Sequence, residues 1–398
     1  VVMRKKLLFV IDSLAIGGAE KSLVSLLNMI DSSKYEIDLL LFKKGGDFET
    51  YVPTYVNILH APEYFRFINN EKFSVRKNIL YTSYRLKTSL SLRLNKYKKN
   101  NLHNEQVVYK NIKNVMTPIQ KKYDVAIAYS QGMPTYFVAN KITSSQKVAW
   151  INTDYANTLY NKELDYESYK EINKIVAVSQ NTKESVSKVK KEYGKKIEII
   201  LDITDPNMIH KMAKEHEVIE FDQSLINILT VGRLAPVKSY DKAIEVARLL
   251  KNAGYKFKWY IVGEGPERKN LQDLIDKYKL NDQFILLGKK LNPYTYMKSC
   301  DIYVQTSSKE GFGLTVCEAK ILQKPIICTN FPTAKEIINN NVDGLIVDHN
   351  INSIYNGITK YIDDNNFMKE VIKELNSLEP YSSVDQLEKF YELVKKLM

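Results

Sequence analysis

The sequence predicts two doubly wound α/β domains in tandem, and three observations carry that prediction. Short apolar runs alternate with stretches of helical periodicity over most of the chain. The runs are apolar throughout rather than alternating, as strands buried on both faces of a parallel sheet are. The 398 residues, at about 150 per domain, leave room for two to three domains.

The first series of strands is LLFVI (7–11), IDLLLF (37–42), DVAIAY (124–129), KVAWI (147–151), KIVAV (174–178) and IEIIL (197–201). The second is INILTV (226–231), WYIV (259–262), FILL (284–287), DIYV (301–304), PIIC (325–328) and GLIV (344–347). Helical patterns lie between them; Leu23, Leu26, Leu27 and Ile30 follow the i, i+3, i+4, i+7 rule. Each series has the size of one Rossmann-like domain. Asp and Pro interrupt the periodicity in DITDPNM (202–208), which reads as the linker. The expected domains are 1–201 and 202–375, with a C-terminal helix at about 376–398 returning to the first. Open parallel sheets bind ligands at the carboxyl ends of their strands, so the expected site is a cleft between two such domains.

Composition removes several classes of function. With 15 Gly and 11 Pro, the chain is far from a disordered or collagenous composition. Three cysteines (Cys300, Cys317, Cys328) form no CxxC pair, and five scattered histidines lack zinc-motif spacing. No stretch reaches the roughly 18 apolar residues of a membrane span. The opening VVMRKKLLFVID has a basic start, but Asp12 stops its apolar run short of the roughly 7–15 residues of a signal core. It reads as a first strand, and the cytoplasm is the expected compartment.

Charge is unevenly distributed. Residues 1–200 sum to +13 and residues 201–398 to −1. Between Lys72 and Lys99 lie nine basic residues, among them Arg85, Lys87, Arg93, Lys96, Lys98 and Lys99, and no acidic one. Ile79, Leu86, Leu90, Leu94 and Tyr97 in that segment fall on one helical face. A basic amphipathic helix suggests an anionic membrane surface; the alternative is a solvated helix whose apolar face enters the core. No nucleic-acid module accompanies the patch.

The loops after strands hold the candidate chemistry. In IDSLAIGGAEKS, Gly17 and Gly18 allow close backbone approach, and the helix start offers N–H groups to an anion. This is not GxGxxG, and a tight turn explains two glycines equally well. In VGRLAPVKS, Arg233 and Lys238 could reach one diphosphate, Arg as a planar fork and Lys as a point charge; the alternative is two surface cations. VGEGPER places Gly263 and Gly265 in another tight turn. The most specific segment is SSKEGFGLTVCEAK, where Glu310 and Glu318 bracket Gly311, Phe312, Gly313, Leu314 and Thr315 at a helix start. Glycine N–H groups there suit a sugar hydroxyl or phosphate, and carboxylates suit sugar hydroxyls.

GRL…K, VGEGP, EGFGLTVCEA and the following KPII…EI…DGLIV resemble the retaining GT-B glycosyltransferases of glycosyltransferase family four. The C-terminal resemblance runs from about Ile226 to Val347, and GGAEKSL is similar to the family's N-terminal loop. It implies two Rossmann-like domains facing each other across a cleft, the donor held by the second and the acceptor by the first. Arg233 and Lys238 would neutralise the donor diphosphate, Glu310 would orient the donor sugar and Glu318 would hold the ribose. Gly311 to Thr315 would supply backbone contacts to the sugar and phosphates.

One departure concerns the acceptor side. Where relatives often place a histidine after KVAWI, this chain has Asn152, Thr153 and Asp154. Asn152 can donate a hydrogen bond but cannot act as acid or base. Asp154 is the nearest other polar group, with a helix cap as its alternative role. No Asp-x-Asp triplet occurs, so transfer without a metal or other cofactor is expected, the cations being Arg233 and Lys238.

The expected enzyme is a retaining glycosyltransferase, peripheral at the inner face of the membrane. It would move a sugar from a nucleotide donor, UDP-linked, to a glycan acceptor on a polyprenyl diphosphate, in capsule or surface polysaccharide assembly. Competing readings are a nucleotide-sugar epimerase, a glycogen-type phosphorylase and a non-catalytic scaffold subunit of a glycosyltransferase complex.

Overall fold

The computed structural model describes residues 4–98, 102–378 and 383–397. The chain divides into two compact units, Val1–Ile203 with Val384–Met398, and Thr204–Ser383.

The first unit holds a sheet of seven parallel strands: β1 (Lys5–Ile11), β2 (Tyr35–Leu41), β3 (Val56–Leu59), β4 (Ile119–Ala128), β5 (Ile142–Ile151), β6 (Lys174–Ala177) and β7 (Ile197–Ile199). Their order is β3-β2-β1-β4-β5-β6-β7. Chain order reverses between β1 and β4, as in a doubly wound sheet. In the central strands Leu7 to Val10 and Val125 to Ala128 are buried, which is why these runs read as apolar throughout. Strand β3 has no counterpart in the sequence reading. It is four residues long, lies at the sheet edge and buries only Val56 fully, so it carries almost no apolar signal.

One polar cluster ties that edge to the centre. Asp38 on β2 accepts from Asn57 Nδ2 on β3 (2.9 Å), and from Lys121 Nζ (2.8 Å) and Tyr123 OH (2.6 Å) on β4. Burial disfavours the charge of Asp38, yet those three donors hold its carboxyl below the ordinary carboxylate range.

The last helix, Val384–Leu397, belongs to this first unit. Phe390 stacks on Phe9 with ring centroids 6.1 Å apart, Tyr391 stacks on Tyr35, and Gln386 Oε1 accepts from the Leu201 N–H. It begins at Val384 rather than near 376, because the preceding helix, Asn365–Ser377, continues through that point with Val371 and Leu375 in the second unit's core.

The helix Val75–Asn95 buries a narrow stripe of three residues. Tyr81, Thr88 and Asn95 are buried, whereas Ile79, Leu86, Leu90, Leu94 and Tyr97 are between 54% and 89% exposed. The apolar face therefore does not enter the core. Arg85, Lys87, Arg93, Lys96 and Lys98 are exposed as well, and Lys99 lies outside the described residues. Among the described residues, no helix is long and apolar enough to cross a membrane.

The second unit holds six parallel strands: β8 (Ile226–Val231), β9 (Phe257–Val262), β10 (Phe284–Gly288), β11 (Ile302–Gln305), β12 (Ile326–Thr329) and β13 (Leu345–Val347). Their order, β10-β9-β8-β11-β12-β13, repeats the reversal between the first strand and the fourth. Trp259, Ile228 and Ile327 lie in the core with Ile244 of the helix Tyr240–Asn252 and Tyr361 of the helix Ile351–Asp363. The unit's two ends are joined, since the Thr204 N–H donates to Ser383 Oγ at 2.9 Å. Cys300, Cys317 and Cys328 are buried and unbridged, which suits small apolar residues of this core.

Asp38→Asn should destabilise the first unit at pH 7 by about 1.5–3 kcal/mol, the range of a hydrogen bond to a charged group. The carboxylate's contribution is complete above its unfolded value near about 4 and is lost as pH falls through its lowered folded value. Chemical denaturation should accordingly show the deficit at pH 7 and its narrowing at pH 3. An equal deficit at both would remove the charge from the explanation.

Candidate functional site

The second unit gathers most of the residues that the sequence singles out. Strand β8 ends at Val231, and the turn beyond it carries Arg233 and Lys238. Arg233 is exposed, and its guanidinium has no partner among the described residues. Lys238 runs back over Gly232, where an added Cβ would lie 3.4 Å from its Cε and 2.9 Å from Tyr240 OH. Its ammonium reaches Glu310, with Nζ 2.7 Å from Oε1 and 2.9 Å from Oε2. The two side chains are 16% and 12% exposed, so water screens this ion pair only partly.

Glu310 is held by more than the lysine. Gln305 Nε2 (2.8 Å) and Ser307 Oγ (2.5 Å) both donate to Oε1. Gln305, the last residue of β11, also accepts from Tyr303 OH at 2.8 Å. Burial pushes the Tyr303 phenol far above its ordinary range, so it stays a neutral donor. These hydrogen bonds aim the carboxylate at the carboxyl end of the sheet. The sequence reading missed Gln305 and Ser307. Their only signal was polar residues at the close of an otherwise apolar strand.

The segment 311–315 builds a helix start. Gly313 caps the helix Leu314–Ile321 with φ +101°, a left-handed conformation that favours glycine. Phe312 is a core side chain, and its carbonyl accepts from Thr333 Oγ1 at 2.7 Å. Thr315 lies beside Gln305, with Oγ1 3.4 Å from its Oε1. Glu318, one turn along, is buried and accepts from Tyr294 OH at 2.9 Å. Tyr294 is a further residue that sequence reasoning did not find, because it comes from a separate short helix, Tyr294–Ser299.

Gly263 and Gly265 serve loop packing. A Cβ on Gly263 would lie 1.9 Å from the Gly232 carbonyl oxygen, and one on Gly265 2.2 Å from that of Leu234. The two turns also exchange backbone hydrogen bonds, Gly232 N–H to the Val262 carbonyl (3.0 Å) and Leu234 N–H to that of Glu264 (3.0 Å). The glycines thereby fix the turn that presents Arg233 and Lys238.

The remaining residues lie in the first unit. Gly17 precedes the helix Gly18–Met29 with extended backbone, and the space a Cβ would occupy holds the Glu20 carboxylate. Asn152 Nδ2 donates to the Tyr129 carbonyl (3.0 Å), leaving its buried Oδ1 without a hydrogen bond. Asp154 is committed locally, accepting from Ser185 Oγ (2.5 Å) and Asn157 Nδ2 (2.8 Å). It stands before a short 3₁₀ turn and its carboxylate braces neighbouring side chains. Glu105, which the sequence did not mark, accepts at Oε2 from the Met133 N–H (3.1 Å) and Tyr160 OH (2.9 Å). Among the described residues, no group of three or more His, Cys, Asp or Glu side chains is placed to hold a metal ion.

Comparison with known proteins bears on this arrangement. Residues 211–376 match the family model described as "Glycosyl transferases group 1". Arg233, Lys238, Glu310 and Glu318 all fall within this segment. Over 368 residues, and 92% of each chain, the protein is 28% identical to the N-acetylgalactosamine-N,N'-diacetylbacillosaminyl-diphospho-undecaprenol 4-alpha-N-acetylgalactosaminyltransferase of Campylobacter jejuni. It is also 28% identical over 196 residues to the poly(ribitol-phosphate) alpha-N-acetylglucosaminyltransferase of Staphylococcus aureus, covering 48% of this chain and 40% of that one. Among solved structures, Anabaena HepE in complex with UDP and glucose aligns with a TM-score of 0.69 at 16% identity, over 99% of this chain and 100% of that one. A TarM variant of S. aureus in complex with Fondaparinux, alpha-GlcNAc-glycerol and UDP aligns at 0.66 and 17%, over 98% and 99%. The fold of the chain is GT-B, with both units Rossmann-like.

The packing role of the turn glycines gives a direct test. Gly263→Ala and Gly265→Ala should each cost about 1–3 kcal/mol, because backbone faces backbone and neither side can rotate away. Gly17→Ala meets only the flexible Glu20 carboxylate and should stay close to wild type. Denaturant titration of the three variants checks this; equal stability for all would discount the loop contact.

Proposed function

We propose that this chain transfers a sugar from a nucleotide-diphosphate donor to a glycan acceptor with retention of the donor's anomeric configuration. The observation that carries the proposal is the Lys238–Glu310 pair at the carboxyl end of the second sheet, inside the segment that matches the group 1 model. A lysine held 2.7 Å from a carboxylate can exchange that partner for a phosphate oxygen without leaving its place. Arg233, exposed and unpaired on the same turn, adds a planar fork for a second phosphate oxygen. Glu310, released from the lysine and still held by Gln305 and Ser307, would orient the donor sugar. Glu318 would take a ribose hydroxyl beside Tyr294.

UDP is the nucleotide this reading adopts, supported by the UDP complexes of HepE and TarM. Two relatives named as alpha-transferases support retention. The acceptor in this reading is a glycan on a polyprenyl diphosphate, as the C. jejuni relative's name describes for that enzyme, in surface polysaccharide assembly. No metal enters the scheme; the diphosphate charge falls to Arg233 and Lys238.

The enzyme would work at the inner face of the membrane, docked through the helix Val75–Asn95. Exposed apolar residues beside uncompensated cations suit a surface that is apolar within and anionic outside. Each Lys or Arg at such a surface contributes about 1 kcal/mol, so four contribute about 4 kcal/mol, around a thousandfold in binding.

Transfer should fall about 10- to 150-fold in Arg233→Ala and in Lys238→Ala at subsaturating donor, the span of one charged hydrogen bond. Proton NMR of the product should show the donor's anomeric configuration. Wild-type rates in both variants would refute the donor assignment, and an inverted product would refute retention.

Sedimentation with anionic vesicles should capture the wild type at low salt. It should release the protein as salt shortens the screening length toward about 8 Å. A variant with Arg93, Lys96, Lys98 and Lys99 changed to Glu should stay in solution; equal binding by both would end the membrane proposal.

A further inference from the structure

The first unit contains a cationic depression that none of the donor residues touches. It lies beyond the carboxyl ends of β2 and β3, has a volume of about 560 Å³ and is lined by Lys43, Lys44, His60, Arg66, Asn69 and Glu71. That volume is ordinary for a small-molecule site. We propose that it binds a diphosphate group, that of the acceptor's carrier lipid; this rests on the acceptor reading above.

The depression is a built site. Phe42 floors it, stacked on Phe65 at 4.4 Å, and Asn69 Nδ2 donates to the Phe42 carbonyl at 3.1 Å, joining the two walls. The loop bearing Lys43 and Lys44 is pinned to the loop after β1. The Lys43 N–H donates to the Asp12 carbonyl (2.9 Å), and the Phe48 N–H to that of Leu14 (2.8 Å). A Cβ on Gly46 would lie 2.4 Å from the Leu14 carbonyl carbon, so only glycine lets the loop come this close.

Charge in the depression is unbalanced. Glu71 is its one acid and is paired with Arg66 at 2.7 Å. The ammonium groups of Lys43 and Lys44 have no partner among the described residues, and both are exposed. Arg66 lies over the Phe73 ring at 5.1 Å, and its buried Nε–H has no hydrogen-bond acceptor. Two free ammonium groups beside the part-exposed Arg66 guanidinium match a group with several anionic oxygens.

A carrier lipid is the favoured source because of what adjoins the wall. Arg66 belongs to the helix Glu63–Ile68, on which the basic helix Val75–Asn95 packs. Lys77 pairs with Glu63 at 2.7 Å, and Tyr81 donates to the same carboxylate at 2.7 Å. The wall of the pocket and the helix that bears the exposed apolar residues are thus tied to each other through Glu63. A lipid-linked diphosphate would meet both together, whereas free diphosphate would use only the pocket.

The test uses the full chain in two arms. In the first, inorganic pyrophosphate is titrated calorimetrically into Arg233→Ala/Lys238→Ala protein, which lacks the donor cations. Adding Lys43→Ala and Lys44→Ala, both at exposed positions that fold does not depend on, should weaken binding at least about tenfold. Unchanged affinity, or no binding before they are added, overturns the proposal. In the second arm, Lys43→Ala/Lys44→Ala should raise KM at least about tenfold for a polyprenyl-diphosphate-linked glycan, with kcat nearly kept. KM for the same glycan without diphosphate should not move. An unchanged KM beside a lost pyrophosphate site would assign the pocket to free diphosphate. Absence of transfer by the wild type, with the pyrophosphate site still lost in the variant, would refute the glycosyltransferase reading while sustaining the pocket.

Discussion

All strands in both sheets run parallel, and that constraint decides where chemistry can collect. A parallel sheet sends every carboxyl end to one edge, so loops far apart in sequence become neighbours there. In the second unit this brings the turn after β8 against the turn after β9 and beside the loop after β11. Lys238 and Glu310, 72 residues apart, meet for that reason. In the first unit the same geometry places the loops after β1, β2 and β3 side by side, the setting of the cationic depression.

In the proposed function, the Lys238–Glu310 pair lets a site be formed before its ligand arrives. A half-buried ammonium without a partner would be costly, and so would a lone carboxylate. Paired, each satisfies the other, and Gln305 and Ser307 fix the carboxylate from behind. The glycines of the neighbouring turn support the pair from the other side. They allow two backbones to approach so closely that the turn has little freedom. Positioning comes from the scaffold, and in the proposed reading the charges exchange partners when the donor binds.

Much of this was legible in the sequence, for physical reasons that differ from element to element. Runs such as 226–231 are apolar on both faces because both faces are covered, and that pattern cannot be hidden. Strand β3 was not legible, because an edge strand of four residues with one buried side chain needs no such run. The helix Val75–Asn95 was legible as an amphipathic helix but not in its orientation. Periodicity identifies a face without saying what covers it, and here the buried residues are Tyr81, Thr88 and Asn95. Glu310 stood out through its glycines, whereas Gln305, Ser307 and Tyr294 became visible only once the fold brought them near. Asp154 was legible as a polar residue in the loop after β5; its bonds to Ser185 and Asn157 could not be read from spacing.

The central claim is that Lys238 exchanges Glu310 for a donor phosphate while Glu310 turns to the sugar. Calorimetric titration of UDP and of UDP-GlcNAc, UDP-GalNAc and UDP-glucose into wild type and Glu310→Gln tests it most directly. Freed of its competing carboxylate, the variant should bind UDP at least as tightly as wild type, and it should lose affinity for the preferred UDP-sugar relative to UDP. Loss of UDP binding in the variant, or no binding of UDP by either protein, would contradict the exchange.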